Sequence, residues 1–341
     1  MLKIVGDINY TDSYFDVGFG VGSEILHGAD PFQYIHRKED DFWIGNFECV
    51  CSETTNKRGV FGKQFRISRQ YLEQIQHLNA YSVANNHVMQ HGRDAYIQML
   101  HNIECFKASY VGDINRKTIF FEHQNKKVSI TSFSLRQDEF NTEPLYWCNP
   151  EYCDIERELN TFLLDVDVKI AYIHWGIENI NYPNDNQKKL AHWLIDIGFD
   201  LVIGLHPHVL QGYEFYREKY IFYSLGNFVF NMPWEPTKYS VIINIDLSDK
   251  KPIVSYDYIY INNYFPRIID EKMVPKQYTF KYLNELLLRN QNMEDYCSVY
   301  SFNLKKYRSA NRRMIIFNLY KFQFEDIFSI IKDFIKRGLG K

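Results

Sequence analysis

The sequence lacks the features that mark several classes of protein. No window approaches about 18 uninterrupted apolar residues, so it predicts no membrane-spanning helix. Glycine (17) and proline (10) are few among 341 residues, which excludes collagen-like and Pro/Gly-rich disordered chains. No basic stretch at the N-terminus leads into an apolar region with a cleavage site, as in a signal peptide. The six cysteines are scattered without zinc-finger spacing, so we expect free thiols in a cytoplasmic protein.

An excess of charge of one sign is also missing. With 39 basic and 42 acidic residues the net charge is −3, so we expect no nucleic-acid partner. The balance conceals an asymmetry, because residues 303–341 carry ten Lys/Arg and three Asp/Glu. Two interpretations of this basic segment stay open. It contacts anionic lipid or membrane-bound machinery at the inner face of the membrane, or it packs on the body with a solvated charged face.

Aromatic residues are abundant, with 26 Tyr, 26 Phe and 5 Trp, and short apolar runs alternate with amphipathic patterns. Strands are predicted at residues 2–5, 41–44, 82–84, 128–133, 168–174, 201–204, 220–224, 241–245 and 253–261. Helices are predicted at residues 69–78, 96–103, 187–197, 278–289 and 321–337. This alternation predicts an α/β fold with an extensive sheet. Because the pattern loosens after residue 262, we expect a domain of residues 1–262 and a helical, basic and aromatic C-terminal extension of residues 263–341.

Polar side chains recur where the predicted strands end. The strand ends carry Asp7, Asn46-Phe-Glu48, Asn85-Asn86-His87, His174, His206-Pro-His208 and Asn227. In an open α/β sheet the ligand crevice lies outside the carboxyl ends of the strands, so these side chains should meet. Each motif alone fits a turn, a cap or a core histidine, but their recurrence favours a shared metal centre. Such ligands suit Mn, Fe or Zn, and two cations bridged by a carboxylate would activate water for attack on phosphorus.

The same motifs resemble those of the bacterial capsule synthesis CapA family, which is associated with poly-γ-glutamate capsules and related to calcineurin-like metallophosphoesterases. In order, they are Gly6-Asp7, Asn46-Phe-Glu48, Ala84-Asn85-Asn86-His87, His174-Trp-Gly-Ile-Glu178, Gly204-Leu-His206-Pro-His208-Val-Leu-Gln211 and Tyr223-Ser-Leu-Gly-Asn227-Phe. The resemblance covers residues 1–245 and is most specific within residues 174–228. It implies a metallophosphoesterase-like four-layer α/β/β/α sandwich, followed here by a C-terminal helical appendage.

The resemblance implies a centre of two divalent metal ions with six ligands: Asp7, Glu48, Asn86, His174, His206 and His208. Asp7 and His208 would belong to the first metal, and Glu48 would bridge it to a second metal held by the other three. His87 would donate a proton to a leaving group. Four residues would orient the ligands or contact substrate: Asn46, Asn85, Glu178 and Asn227.

Three positions depart from the family pattern, and at one of them, Phe47 in place of leucine between Asn46 and Glu48, we expect a change in packing only. Asn9 stands where the wider superfamily often has histidine, which predicts a looser first metal site. Gln90 stands three residues after His87, where the family commonly has aspartate, so the carboxylate expected behind that histidine is missing.

Two functions of different class follow from the sequence. The first is metal-dependent hydrolysis of a phosphoester, or a related bond, in an anionic polymer or its phosphorylated precursor during capsule assembly. The second is a non-enzymatic capsule assembly or transport factor whose metal centre is structural or binds polymer without turnover. The sequence does not determine the substrate, the metal, the choice between polyglutamate and polysaccharide, or the oligomeric state.

Overall fold

Two β-sheets stack face to face at the centre of the molecule. The computed structural model describes residues 1–12, 18–288, 293–322, 324–328 and 331–332. The strands in chain order are β1 (Leu2–Ile8), β2 (Phe42–Phe47), β3 (Val50–Cys51), β4 (Arg66–Ile67), β5 (Ala80–Ser82), β6 (Ser109–Val111), β7 (Thr118–His123), β8 (Lys126–Ser134), β9 (Val168–His174), β10 (Leu201–Leu205), β11 (Tyr213–Tyr216), β12 (Lys219–Phe222), β13 (Asn227–Val229), β14 (Tyr239–Asp246), β15 (Ile253–Asn262) and β16 (Phe265–Ile269). The helices are α1 (Val21–Leu26), α2 (Arg69–Glu73), α3 (Arg93–Cys105), α4 (Tyr152–Asn160), α5 (Asp185–Ile197), α6 (Phe280–Leu287) and α7 (Met293–Asn318).

The strand order brings the carboxyl ends of the parallel strands together. The first sheet has the order β16-β15-β14-β1-β2-β5-β6, with β13 also paired to β1, and the second has the order β11-β12-β10-β9-β8-β7. Strands β1, β2, β5 and β6 run parallel, as do β8, β9, β10 and β12. In register, Asp7 lies opposite both Asn46 and Asn227, and His174 lies opposite Leu205. The polar residues at the strand ends therefore lie at one edge of each sheet.

Apolar side chains fill three layers. Ile4 of β1 and Ile170 of β9 belong to the layer between the sheets. Met99 of α3 packs on the outer face of the first sheet, and Leu194 of α5 packs on the outer face of the second. Strands covered on both faces need apolar residues at successive positions, which explains the continuous apolar runs. The predicted four-layer α/β/β/α sandwich is confirmed.

Each of the nine predicted strands overlaps an observed strand, and β9 has the predicted bounds. The helices predicted at 96–103 and 187–197 are α3 and α5, each of which begins earlier. Short strands such as β13, the edge strand β7 and the long helix α7 were missed. Residues 323, 329–330 and 333–337 of the helix predicted at 321–337 lie outside the described residues, as does residue 289 of the helix predicted at 278–289.

The chain after residue 262 begins as part of the first sheet. Strand β16 pairs with β15, and α6 buries Phe280 and Leu283 in the layer between the sheets. The division at residue 262 stays a prediction. Among the described helices, none combines the length and the apolar character needed to cross a membrane.

Strand β10 has no room for a side chain at Gly204. A Cβ there would overlap the carbonyl oxygen of Tyr223 and the indole Nε1 of Trp175, two atoms that are hydrogen-bonded at 2.9 Å. We expect Gly204→Ala to lower the free energy of unfolding by about 1–3 kcal/mol, as overpacking does in other cores. The control is Gly62→Ala, whose Cβ would meet its nearest neighbour at 3.5 Å. It should change that free energy by less than about 0.5 kcal/mol. Denaturant unfolding measures both, and equal losses would contradict the assigned contact.

Candidate metal centre

Six polar side chains from both sheets converge in a buried cluster at the edge where the parallel strands end. Asp7 lies near the end of β1, Glu48 follows β2, His174 ends β9, and His206 and His208 follow β10. The side chains of Asp7, Glu48, His174 and His206 are 0% exposed, and His208 is 4% exposed. Asn86, on the loop after β5, is 7% exposed. The structure thus brings together all six ligands that the sequence predicts.

Asn46 holds the two carboxylates in place. Its Nδ2 donates to Asp7 Oδ1 at 2.8 Å and lies 3.5 Å from Glu48 Oε2. The amide oxygen of Asn46 accepts from Asn85 Nδ2 at 3.1 Å, which fixes the orientation of the amide. Asn85 Nδ2 also donates to the Phe47 carbonyl at 2.9 Å. Asn46 and Asn85 therefore join the end of β2 to the loop after β5, as orienting residues would.

The His206–His208 loop has a backbone that few non-glycine residues adopt. His206 has φ of 90° and His208 has φ of 57°, in the left-handed half of the map. Each such residue costs about 1–3 kcal/mol and persists where the surroundings impose it, which is common at functional sites. The His206 amide donates to Asp7 Oδ2 at 3.2 Å. His208 Nδ1 lies 2.9 Å from Asn227 Oδ1, and the Asn227 amide in turn donates to the Thr237 carbonyl at 3.1 Å.

The ligand atoms form overlapping groups within 4.8 Å. One group contains Asp7, Glu48 and His208, and a second contains Glu48, His174 and His206. Glu48 is shared by both, and its Oε1 lies 3.6 Å from His208 Nε2 and 3.9 Å from His174 Nε2. A carboxylate shared by two groups has the arrangement expected of a bridging ligand. His174 Nε2 also meets Asn86 Oδ1 at 2.9 Å, which places the amide with the second group.

A third group contains Glu178, His206 and His208. The sequence predicts Glu178 as an orienting or substrate-contacting residue, whereas its carboxylate lies within ligand distance of two imidazoles. Glu178 therefore joins the candidates for metal ligation.

Burial and charge act strongly on this cluster. Burial raises the pKa of Glu48, and the nearby charge of Asp7 raises it further. Burial lowers the pKa values of His174 and His206, and the positive charge of His208 adds to that effect. Burial alone would also lower the pKa of His208, but Glu48 and Asp7 together bring it to about 10. The cluster thus combines two buried carboxylates with the neutral imidazoles of His174 and His206, and the charged His208 compensates the carboxylates where a bound cation would do so.

The residues present fit divalent metal ions. Glu48 Oε1 and both ring nitrogens of His206 are buried without any hydrogen-bond partner. Buried polar atoms are rarely left unpaired, and three such atoms in one cluster point to a partner that is not a side chain. The donor set of carboxylate, imidazole and amide oxygen suits Mn, Fe or Zn.

His87 lies beside this cluster. Its ring stacks on Phe65 with centroids 4.1 Å apart, and its Nε2 is 3.8 Å from Glu48 Oε1. Its Nδ1 lies 3.4 Å from Gln90 Oε1, and the Gln90 amide donates to the Gln64 carbonyl at 2.6 Å. That amide contact turns the Gln90 oxygen toward His87, so Nδ1 carries the proton and Nε2 faces the shared carboxylate. Burial lowers the pKa of His87 to about 3, although the Gln90 contact acts in the opposite direction.

The departures from the family pattern at Asn9 and Gln90 have distinct structural outcomes. Asn9 Oδ1 accepts from the amide and hydroxyl of Thr11, at 3.0 and 2.7 Å. That oxygen is therefore used within its own turn. Gln90 occupies the position behind His87 that the family pattern gives to a carboxylate.

The sequence patterns did not predict several residues that lie around the centre. Arg136 lies two residues after β8, and its positive charge lowers the pKa values of His87, His174 and His206, to which burial is the main contribution. Lys57 acts on His87 in the same direction. A polar residue two positions beyond the end of β8 was the one available signal for Arg136. Lys57 lies in an irregular segment that carries no periodic pattern.

An aromatic wall and helix α7 flank the metal centre. Phe230 contacts the edge of His208 at 5.0 Å and that of Phe65 at 6.2 Å between ring centroids. Tyr307 of α7 packs against Phe65 and Phe230. One turn earlier, Asn303 Nδ2 donates to the carbonyl of Asn179 at 2.7 Å. Helix α7 thus forms part of the surroundings of the centre, which its sequence did not indicate.

Comparisons with known proteins agree with these motifs. The model of the family described as "Bacterial capsule synthesis protein PGA_cap" matches residues 2–232. The PGA biosynthesis protein CapA of Bacillus subtilis (strain 168) is 30% identical over 241 residues, covering 64% of this chain and 62% of that protein. The capsule biosynthesis protein CapA of Bacillus anthracis is 44% identical over 85 residues, covering 25% of this chain and 21% of that protein. The matches therefore span less than two thirds of the length of either relative.

A solved structure with a similar arrangement is a putative 5′-nucleotidase from Staphylococcus aureus. It is 12% identical, with a TM-score of 0.47, over 84% of this chain and 57% of that one. The family model, in contrast, covers more than half of the chain and includes all six candidate ligands and His87. The chain therefore belongs to the bacterial capsule synthesis protein PGA_cap family.

Proposed function

We propose that this protein is a divalent-metal-dependent hydrolase that cleaves a phosphoester, or a related bond, during assembly of a capsule polymer. The observation that carries the proposal is the set of buried, unpaired ligand atoms on Glu48 and His206. A merely structural cluster would satisfy those atoms internally, because an unpaired buried polar group costs about 1–3 kcal/mol. Membership of a capsule synthesis family supports the biological setting.

We assign Asp7 and His208 to a first metal, and Asn86, His174 and His206 to a second, with Glu48 as the bridge. Bound cations supply a water of lowered pKa and positive charge near the phosphoryl oxygens. Asn46 orients both carboxylates through its Nδ2, and Asn227 orients His208 through its Oδ1. These contacts hold the ligands in position before substrate arrives, which is what effective catalysis requires.

We assign His87 as the proton donor to the leaving group. Its Nε2 faces the shared oxygen of Glu48 at 3.8 Å, and stacking on Phe65 fixes the ring. A positioned imidazole contributes typically 10²–10⁴-fold to a rate by proton transfer. Its low intrinsic pKa suits a group that becomes protonated only when an anionic substrate lies beside it.

A second function has one observation in its favour. The candidate ligands are almost completely buried, with Asp7, Glu48 and His174 at 0% exposed. Closed sites are typical of structural metals, whereas catalytic metals keep an open position. In this alternative the protein is a capsule assembly or transport factor, and the metals stabilise the fold or hold an anionic polymer without turnover.

Metal loading should be measurable as stability. We expect excess Mn²⁺ to raise the midpoint of thermal unfolding, by the equivalent of about 2.7 kcal/mol at one hundred times Kd. His206→Ala should abolish most of this stabilisation, because it removes two unpaired ring nitrogens. His101→Ala, on the exposed face of α3, should retain it. Differential scanning calorimetry with metal analysis tests both variants, and equal Mn²⁺ responses of the two would refute the assignment of His206.

The role of His87 separates the two functions. With aryl phosphate mono- and diesters and Mn²⁺, we expect turnover by the wild type and a loss of about 10²–10⁴-fold in kcat for His87→Ala, with metal content unchanged. The matched control is His77→Ala, whose imidazole Nε2 contacts the Leu72 carbonyl at 2.8 Å, away from the metal centre. Unchanged turnover in His87→Ala would remove it from the chemistry. Restoration of capsule formation by His87→Ala in cells would favour the assembly factor.

We also propose that the basic C-terminal segment contacts membrane-bound capsule machinery or an anionic lipid surface. Phe317 and Tyr320 are 76% and 81% exposed, close to the exposed Arg312 and Arg313. Apolar and basic side chains on one helical stretch are typical of interfacial binding. We expect Arg312→Glu/Arg313→Glu to reduce pelleting with anionic liposomes, and Lys250→Glu/Lys251→Glu to leave it unchanged. Pelleting that is equally weak for all three proteins would leave the alternative of a solvated, packed helix.

A further inference from the structure

Arg136 is held close to the metal centre by the backbone around it. The Leu135 amide donates to the carbonyl of His174 at 2.8 Å, which ties the segment after β8 to a candidate ligand. The Arg136 amide donates to Ser134 Oγ at 3.1 Å, so the turn is closed by a side chain. Arg136 is therefore presented by a fixed backbone at the edge where the strands end.

Within the described residues, the charge of the Arg136 guanidinium is only weakly compensated by carboxylates and hydrogen-bond acceptors. Its Nε is buried and has no hydrogen-bond partner. The ion pair it makes there, with Glu139, is 3.9 Å long, and that carboxylate is 68% exposed. A loose, exposed pair contributes little, whereas an unpaired charged donor is costly to bury. An under-satisfied guanidinium beside a metal centre is the group expected to bind an anion.

Lys57 approaches the same area from a different loop. Its ammonium donates to Gln64 Oε1 at 3.2 Å and lies 4.3 Å from the centroid of the Phe140 ring. In the described part of the chain no carboxylate comes within ion-pair distance of it. Burial lowers the pKa of Lys57 to about 8, so the ammonium is partly desolvated without a counter-charge. Like Arg136, it is a cation that an anion would stabilise.

Arg136 and Lys57 lie on two neighbouring loops, which together form a rim beside the metal centre. Phe140, which contacts Lys57, lies on the loop that begins with Arg136. Gln64, which binds Lys57, precedes Phe65, whose ring stacks on His87. The Gln64 carbonyl accepts from Gln90 Nε2 at 2.6 Å, and Gln90 Oε1 lies 3.4 Å from His87 Nδ1. The two cations therefore lie on loops that contact each other, and the loop of Lys57 also contacts His87.

We propose that Arg136 and Lys57 form an anion-binding subsite beside the metal centre, which holds a second anionic group of the substrate, a carboxylate or a phosphate. The inference rests on the proposed function, because it takes the scissile phosphoryl group to lie at the metals and His87. The substrate is then a molecule with at least two separated anionic groups, such as a segment of an anionic polymer. A simple aryl phosphate fills the metal centre and leaves this subsite empty.

Direct binding tests the subsite without reliance on turnover. The full chain, loaded with Mn²⁺, is titrated by calorimetry with tetraglutamate, with an alkane bisphosphate and with tetraglutamine as the neutral counterpart. We expect tetraglutamate or the bisphosphate to bind, and tetraglutamine to bind at least about tenfold more weakly, since it cannot form charge-assisted hydrogen bonds with the two cations. The tighter of the two anionic probes identifies the second group as carboxylate or phosphate.

Three variants and two controls locate the binding. Arg136→Gln and Lys57→Gln should each weaken the anionic probe about tenfold or more, while Arg136→Lys retains part of the affinity. The matched controls are Arg157→Gln and Lys251→Gln, whose side chains are 74% and 85% exposed, on α4 and on the β14–β15 turn. These should bind like the wild type. Unchanged affinity in Arg136→Gln and Lys57→Gln, or tetraglutamine binding as tight as that of tetraglutamate, would overturn the subsite.

Failure of the subsite is distinguishable from failure of the proposed hydrolase. Hydrolysis of an aryl phosphate by the wild type tests the metal centre alone, since that substrate has no second anionic group. Hydrolysis together with absence of binding by either anionic probe overturns the subsite and leaves the hydrolase. Binding that depends on Arg136 and Lys57 without any hydrolysis supports the subsite in a polymer-binding protein and contradicts the hydrolase.

Discussion

Burial of two carboxylates side by side is costly unless positive charge and hydrogen bonds compensate them, and Asp7 and Glu48 are both removed from solvent. Asn46 compensates part of this cost, because it donates to Asp7 and lies within 3.5 Å of Glu48. His208 supplies positive charge, since the two carboxylates bring its pKa to about 10. One oxygen of Glu48 still has no hydrogen-bond partner. The remaining imbalance is the physical reason to expect cations at this point of the fold.

The sandwich delivers those groups because its parallel strands end together. Asp7 and Asn46 are opposite each other in neighbouring strands, and His174 is opposite Leu205, one residue before His206. A shift in strand register would turn these side chains to other faces, so the apolar layers that fix the register also fix the ligand geometry. Stability and function thus depend on the same packing.

The surroundings of the centre come from less regular parts of the chain. Lys57 and Arg136 supply positive charge from two loops, and Phe65 with Phe230 supplies an aromatic wall. Tyr307 of α7 packs against that wall. It lies beyond the part of the chain matched by the family model, which ends at residue 232. Binding and catalytic residues are common on loops that a rigid scaffold positions. The metal ligands and the wall accordingly belong to the matched part, whereas Tyr307, which packs against the wall, does not.

The sequence by itself determined the layered α/β fold and the polar strand ends that meet at one edge. It could do so because an apolar run that ends in Asp, Asn or His is a local pattern, and the rules for parallel sheets place all such ends together. The resemblance of these motifs to a known family then selected the six candidate ligands and His87. It also identified the departures at Asn9 and Gln90, but only the tertiary structure decided that Asn9 turns to Thr11 and that Gln90 supports His87.

Only the tertiary structure assembled the rim. The segment that carries Lys57 and Phe65 lies far in the chain from Arg136 and from Tyr307. Their proximity therefore depends on how loops and α7 pack on the finished sandwich. The same holds for Glu178, whose carboxylate lies within 4.8 Å of ligand atoms of His206 and His208. Periodic local patterns therefore predicted the centre, and long-range packing without such a pattern decided what surrounds it.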